Sequence, residues 1–383
     1  MADTAVSEKP ASAAASGAGY LEFEKPLLRI QTDIEQLEAR PSDGGPDLAA
    51  DLKDLRDRLR QMTKRLYTHL TAWETVMVAR HPSRPLVPDY IRSIVRDFCE
   101  IHGDRLFGDD KAIITGFGRI GPHKVMLVGH NKGNDTPQRI ACNFGCAHPE
   151  GYRKSLRAMK LAEKFGLPVV CLIDTQGAFP GIGAEERGIS SAIAVNLMEM
   201  SRLKVPVVCV VIGEGGSGGA LGIGVGDRVA MFEHSFYSVI SPEGCAAILW
   251  RTGEQRKLAA ESLKLTAKDL SKLEIVDTVL KEPLGGAHRD PDAAAATLEK
   301  YLTDSLRELK RFKTETILRK RYERIRGTAS FFASTAEKAK AATRAAKPAP
   351  GKAPRATRRT LKSRGIQPAR TTAVTRGVAP DAV

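Results

Sequence analysis

The most regular signal in the chain is a leucine stripe. Leu48, Leu52, Leu55, Leu59, Met62 and Leu66 recur at spacings of three and four, with Lys, Arg and Asp between them. That is the period of an amphipathic helix. Leu27, Ile30, Ile34 and Leu37 form an earlier stripe, and PSDGGPD (41–47) separates the two. The pattern predicts a helical hairpin within residues 20–87, whose apolar face covers either this core or a partner subunit. Three prolines in HPSRPLVPDY (81–90) are expected to end the helical region.

From about residue 88 to 330 the pattern alternates. KVMLVGHNKG (124–133) opens on a strand-like run, and LRAMKLAEKFG (156–166) is helical and closes on a glycine cap. LPVVCLIDT (167–175) reads as a strand, followed by the glycine-bearing loop QGAFPGIGAEERG (176–188). ISSAIAVNLMEMSRLK (189–204) is a helix, VPVVCVVI (205–212) a second strand and GEGGSGGALGIG (213–224) its glycine loop. RVAMFEHSFYSVIS (228–241) is again strand-rich. Aligning Pro168 with Pro206 exposes a repeat of offset 38, in which proline opens a strand and a glycine loop leads into a helix. Alternating strands and helices define an α/β core. Two consecutive glycine loops predict a stacked β–α superhelix with its active loops on one edge.

Composition changes this picture only at the ends. The net charge of +14 is concentrated in residues 334–383, where 12 Lys and Arg face two acids, Glu337 and Asp381. That is +10, which leaves 14 − 10 = +4 for the rest of the chain. Residues 331–383 have almost nothing to bury and are expected to form a disordered, solvated basic tail, with weak, nonspecific binding of nucleic acid or of an acidic partner as its candidate roles. Residues 1–19 are expected to be a flexible arm. They carry Asp3 and Glu8 and lack an apolar core, unlike a signal or transit peptide. No apolar run approaches the roughly 18 residues of a membrane helix. Cys171 and Cys209 lie in apolar runs, as small hydrophobes do. Cys142, Cys146 and His148 resemble a fragment of a metal site, but three ligands without a second knuckle do not make one, so no metal is assigned to this chain. Nothing demands disulfides, and a cytoplasmic location is expected.

Three chemistries could use GEGGSGGALGIG. Gly213, Gly215 and Gly218 fit a dinucleotide fingerprint, with Glu233 placed 20 residues on as the ribose acid. Yet GALGIGVGD (219–227) is short and glycine-interrupted where a nucleotide-binding helix belongs. Gly215, Ser217 and Gly219 fit a serine-hydrolase elbow, with Asp277 and His288 following in hydrolase order. The third reading is an oxyanion site made of bare N–H groups at a helix start. Glycine lets a reacting carbonyl approach the main chain, and the dipole adds to the field there. Such a site needs no side-chain catalyst, consistent with the lack of a convincing His or carboxylate pair in either loop.

IDTQGAFPGIGAEERG, VPVVCVVIGEGGSGGALGIGVGD, YSVISPEGCAAILW and EPLGGAHRDP resemble the carboxyltransferase α-subunit family of multisubunit, bacterial-type acetyl-CoA carboxylase. DDKAIITGFGRIG, NFGCAHPEGYRKSLR and LYTHLTAWETVMVARHPSRP carry the same resemblance, which spans roughly residues 20 to 325. It implies a crotonase-like stacked ββα superhelix. It also implies transfer of a carboxyl group from carboxybiotin, borne on a biotin carboxyl carrier protein, to acetyl-CoA, giving malonyl-CoA. By resemblance, the backbone N–H groups of Gly218 and Gly219 form the hole for the ureido oxygen. Gly177, Ala178, Gly215 and Gly216 are candidate substrate-binding positions, and a side chain at Gly219 is expected to block that oxygen's approach. Glu185, Glu186 and Arg187 are expected to fix the upstream loop. A β subunit, in an α2β2 assembly, supplies the enolate hole and most coenzyme A contacts, and ATP belongs to the separate biotin carboxylase. Gln176 stands where the family usually has proline, and the basic tail lies outside the resemblance. A serine hydrolase using Ser217, or a nucleic-acid-binding protein acting through the tail, remains the alternative.

Overall fold

The computed structural model describes residues 19–39 and 46–328. Most of the N-terminal arm, part of PSDGGPD and the basic tail lie outside the described residues.

Two antiparallel-reading stripes become α1 (Lys25–Glu38) and α2 (Pro46–Thr68). Leu27 and Ile34 of α1 are buried, while the α2 leucines are half-buried and Met62 is exposed. The pair is tied to the core by a polar anchor. Buried Glu24 accepts hydrogen bonds from the Tyr67 hydroxyl (2.9 Å) and from Arg289 (3.0 Å). A separate helix, α3 (Ala72–Ala79), starts at the capping box of Thr71 and Glu74 and buries Val76 and Ala79 against Phe236. The proline-rich segment follows the end of α3 at Ala79 but does not end the helical region for good. It starts α4 (Val87–Ile94), where Pro88 occupies the first turn and Asp89 accepts the Leu86 N–H (2.8 Å). Proline is tolerated there because its missing N–H would have had no partner.

The core is one eight-stranded mixed sheet. Its antiparallel edge is β1 (Arg96–Glu100) and β2 (Ile113–Ile120), followed by β3 (His123–His130). After α5 (Thr136–Ala141) and α6 (Pro149–Lys164), parallel pairing begins with β4 (Val169–Thr175). Next come α7 (Ile182–Glu186), α8 (Ile189–Arg202), β5 (Val207–Gly216), α9 (Ser217–Leu221) and β6 (Arg228–Phe232). The short β7 (Phe236–Ser238) precedes α10 (Pro242–Trp250), α11 (Arg256–Ser262), α12 (Ala267–Lys272) and β8 (Thr278–Leu280). Helices α13 (Pro291–Leu309) and α14 (Thr314–Gly327) close the described chain. The order is β1-β2-β3-β4-β5-β6-β8, with β7 branching off β5.

Strands β4 and β5 are buried along their whole length, as parallel strands covered on both faces must be. Val169, Cys171 and Ile173 point into a core shared with α6 and α8. Val170 and Leu172 point into the opposite core, shared with α4 and α13. Val169 pairs with Val207, Val170 with Val208 and Cys171 with Cys209. The sequence offset of 38 is therefore the register of two neighbouring parallel strands, and the stacked β–α units follow from it.

Candidate active site

The register brings the two glycine loops side by side at the C-terminal ends of β4 and β5. Here the strands depart from regular pairing, between Ile173 and Thr175. The Asp174 carboxylate accepts the Glu214 N–H at 2.8 Å in place of a ladder bond. A Cβ on Gly213 would lie 2.6 Å from that carboxylate oxygen, so glycine is required for the reach. The run GEGG belongs to the strand rather than to the loop. Glu214, Gly215 and Gly216 pair with Phe236, Tyr237 and Ser238 of β7.

The chain then turns sharply at Ser217, whose φ of +50° lies in the left-handed region, and enters the five-residue α9. Ser217 is exposed, Gly218 half-buried and Gly219 buried. The upstream loop lies directly against this turn. A Cβ on Gly219 would stand 2.4 Å from the Gly177 carbonyl carbon and 2.6 Å from the Ala178 nitrogen. One on Gly216 would stand 2.0 Å from the Gln176 carbonyl oxygen. By contrast, Gly218 meets only Ile193, at 3.7 Å, and Gly177 meets nothing within 4 Å. Gly216 and Gly219 thus permit close packing of the two loops, whereas Gly177 and Gly218 face open space. Gly215 is buried against Tyr237 and takes a packing position as well.

The open side is a cleft of about 710 Å³, walled by Gln176 to Pro180, Ser217, Gly218, Ile193 and the Val239–Ser241 turn. Glu185 lines it too, as do Arg80 and Glu243, which belong to an ion-pair chain. Lys132 reaches Asp174 (2.7 Å) and Glu214 (2.6 Å), and Arg80 bridges Glu214 (2.7 Å) to Glu243 (2.6 Å). Burial pushes the Glu214 carboxyl up, but Lys132 and Arg80 outweigh it and hold the group below the usual range. Burial likewise opposes the charge of Lys132, and its two carboxylate partners raise its pKa above the ordinary value. These ion pairs tie the ends of the two glycine loops to Arg80 and Lys132. His130, at the end of β3, is buried, and burial and Lys132 push its pKa down to about 3.

Among the described residues, Asp277 and His288 have partners of their own and form no hydrolase triad with Ser217. Asp277 accepts the Val229 N–H (2.6 Å) and pairs with Arg324 (2.9 Å), while His288 stacks on His81 at 3.9 Å. The dinucleotide reading fails for the reason visible in the length of α9, and Glu233 is bound to Lys281 (2.6 Å). Cys142, Cys146 and His148 take separate environments. Cys142 accepts from Asn131 (3.2 Å), and His148 stacks on Phe179 at 4.1 Å. Of the three residues expected to fix the upstream loop, only Arg187 does so, donating to Glu150 at 2.8 Å. Glu185 and Glu186 are exposed. Sequence reasoning missed Lys132, Arg80, Asp174 and Glu214. An acid at the end of each strand that enters a glycine loop was the available signal.

Twin glycine loops and the start of α9 thus face one open cleft, whose lining also includes Arg80, Glu185 and Glu243. Residues 20–329 match the family described as acetyl co-enzyme A carboxylase carboxyltransferase-like, and the chain belongs to that family. Within it, the chain is 51% identical over 312 residues to the acetyl-coenzyme A carboxylase carboxyl transferase subunit alpha of Xanthomonas axonopodis pv. citri, covering 82% of this chain and 98% of the relative. It is 50% identical over 312 residues to the subunit of the same name from Thiobacillus denitrificans, covering 82% and 97%. Among solved structures, the β subunit of Pseudomonas aeruginosa geranyl-CoA carboxylase is similar with a TM-score of 0.47 at 19% identity, over 63% of this chain and 45% of that one.

Proposed function

We propose that this chain is the carboxyltransferase α subunit of an acetyl-CoA carboxylase. It moves the carboxyl group of carboxybiotin, presented by a carrier protein, to acetyl-CoA and so forms malonyl-CoA. The observation that carries this reading is the seating of Gly219 against Gly177 and Ala178 beside an open cleft floored by Ser217 and Gly218. Gly218 and Gly219 belong to the first turn of α9, whose N–H groups have no acceptor within the helix. They receive the negative charge that builds on the ureido oxygen as the carboxyl group leaves. Preorganised donors of this kind contribute about 3–4 kcal/mol each. Gly177 and Ala178 shape the facing wall, and Gly215 and Gly216 hold the two loops at packing distance. In this reading the ion-pair chain does not take the acetyl proton: Arg80 joins Glu214 and Glu243, and Lys132 joins Glu214. Carrier-borne biotin would supply the proton acceptor instead.

The reading requires a β subunit for the enolate and for most of the coenzyme A contacts. Val239, which lines the cleft, and Ile248 and Leu249 at the end of α10 are exposed at 76%, 71% and 63%, apolar surface of the kind that marks a protein contact. A biotin carboxylase would use ATP to recharge the carrier, and the whole system would work in the cytoplasm. Among the described residues no helix is long and apolar enough to cross a membrane. The test is reconstitution with a β subunit and a carboxylated carrier. Malonyl-CoA should form only when α and β are together. Full-rate turnover by the chain alone, or none in a formed αβ complex, overturns the reading.

A further inference from the structure

A second cleft lies away from the glycine loops, between the C-terminal half of α2 and the α12–β8 edge of the core. It encloses about 1120 Å³ and shares no lining residue with the first. Its walls bring together cations from separate elements: Arg60 and Lys64 on α2, and Lys268 and Lys272 on α12. The two acids in the lining are already neutralised. Glu233 pairs with Lys281 at 2.6 Å, and Glu282 pairs with Arg84 at 2.7 Å. Arg60, Lys64, Lys268 and Lys272 form no ion pair among the described residues. Four uncompensated positive charges therefore face one concavity, an arrangement that repels itself when empty and concentrates anions from solution. The floor is different in character: Tyr67 is buried there, with Val279 and Leu284 beside it. An apolar floor under a cationic wall suits a ligand with a planar or apolar body and a multiply charged end. The charges line one concavity from two separate helices, which argues for a small molecule over a nucleic-acid backbone.

We propose that this cleft is a binding site for a nucleotide-type polyphosphate, whose phosphate oxygens are held by Arg60, Lys64, Lys268 and Lys272. That chemistry has two sources, a free nucleotide or the diphosphate end of a coenzyme A thioester. The experiment is calorimetric titration of the full chain with ADP, with inorganic pyrophosphate and with acetyl-CoA, at low and high salt. All three should bind, pyrophosphate more weakly for want of the apolar contact, and binding should weaken as salt screens the exposed charges. The double variant Lys268→Glu/Lys272→Glu changes only exposed side chains and should keep the circular dichroism spectrum. Losing two charge-assisted contacts should weaken ADP binding about a hundredfold or more. Displacement of ADP by acetyl-CoA, with a raised KM for acetyl-CoA in the variant αβ assembly, identifies the thioester as the source. Without displacement, and with KM unchanged, a separate nucleotide is the ligand. The proposal is overturned if neither ADP nor acetyl-CoA binds, or if the double variant binds both as well as wild type does. It is overturned equally if a single-stranded oligonucleotide binds where both small molecules fail, or if removing residues 334–383 abolishes binding. Binding by calorimetry is read without turnover, so its failure is distinguishable from failure of carboxyl transfer at the glycine loops.

Discussion

Alanine at Gly219 and alanine at Gly218 should separate loop geometry from cleft access. At Gly219 the new methyl carbon would lie 2.4 Å from the Gly177 carbonyl carbon. Carbon atoms in contact prefer about 3.5 Å, so the two loops must part by about 1 Å. Both neighbours are backbone, and the ion pairs that tie the loop ends resist movement. Overpacking of this kind costs about 1–3 kcal/mol of stability. A reacting group displaced by about 1 Å loses about a hundredfold in rate. At Gly218 the nearest heavy atom would be 3.7 Å away, so the methyl group fits without displacement and projects toward the cleft. Gly218→Ala should keep the wild-type urea midpoint and weaken carboxybiotin binding. Gly219→Ala should lower both the midpoint and kcat, with the αβ complex still formed on a sizing column. Equal and small effects in the two variants would refute the reasoning, as would full turnover by Gly219→Ala. The expectation that a side chain at Gly219 would fill the space approached by the ureido oxygen is corrected here, since its Cβ points at the other loop.

Ser217→Ala should retain most carboxyl transfer, and a fluorophosphonate should not label the protein; stoichiometric labelling with loss of activity would restore the hydrolase. Lys132→Met leaves Asp174 and Glu214 short of a buried cation and should cost about 3–5 kcal/mol at neutral pH by urea titration. Because Glu214 titrates below its ordinary value in the folded protein, its pairing stabilises above the unfolded carboxylate range and is lost as pH falls through the folded value. The gap between wild type and variant should therefore narrow in acid, and a small, pH-independent gap would exclude the network's proposed role. Deleting residues 1–70 should leave a folded core that no longer holds the β subunit; a full-strength complex on a sizing column would show that the hairpin is not an assembly element. The cut must precede α3, since Val76, Ala79 and Arg80 belong to the core and its ion pairs. Truncation after Phe332 should leave carboxyl transfer unchanged and remove any salt-sensitive nucleic-acid retention, so lost transfer would give the tail an unexpected role.

Periodic features were readable in the sequence. The leucine stripes gave α1 and α2, and the Pro168–Pro206 offset gave the β4–β5 register without any knowledge of pairing. Local glycine content misled at one end, because Gly213–Gly216 continue β5; what makes them strand is pairing with β7, some 20 residues away. Proline content told half of the outcome at another: α3 ends at Ala79 before the proline-rich segment, but Pro88 then starts α4. The ion-pair chain was invisible because Arg80, Lys132, Asp174, Glu214 and Glu243 are scattered over more than 160 positions, and only the folded sheet brings them together. Likewise, which glycines face the cleft and which face each other depends on where a missing Cβ would have pointed.

The β4–β5 register works as a ruler. The height of each glycine loop is set by counting residues along its strand from the opening proline, and the two counts agree. An extra residue in the loop before α8, or in α8 itself, leaves both counts intact and can be absorbed at the surface. An extra residue within 169–173 or 207–211 slides one loop past the other by about 3.3 Å and turns every later side chain of that strand to the opposite face. Tolerance to insertion should therefore be sharply uneven along this stretch. The narrow gap between Gly219 and Gly177 is a dimension written in the strands and not in the loops that display it.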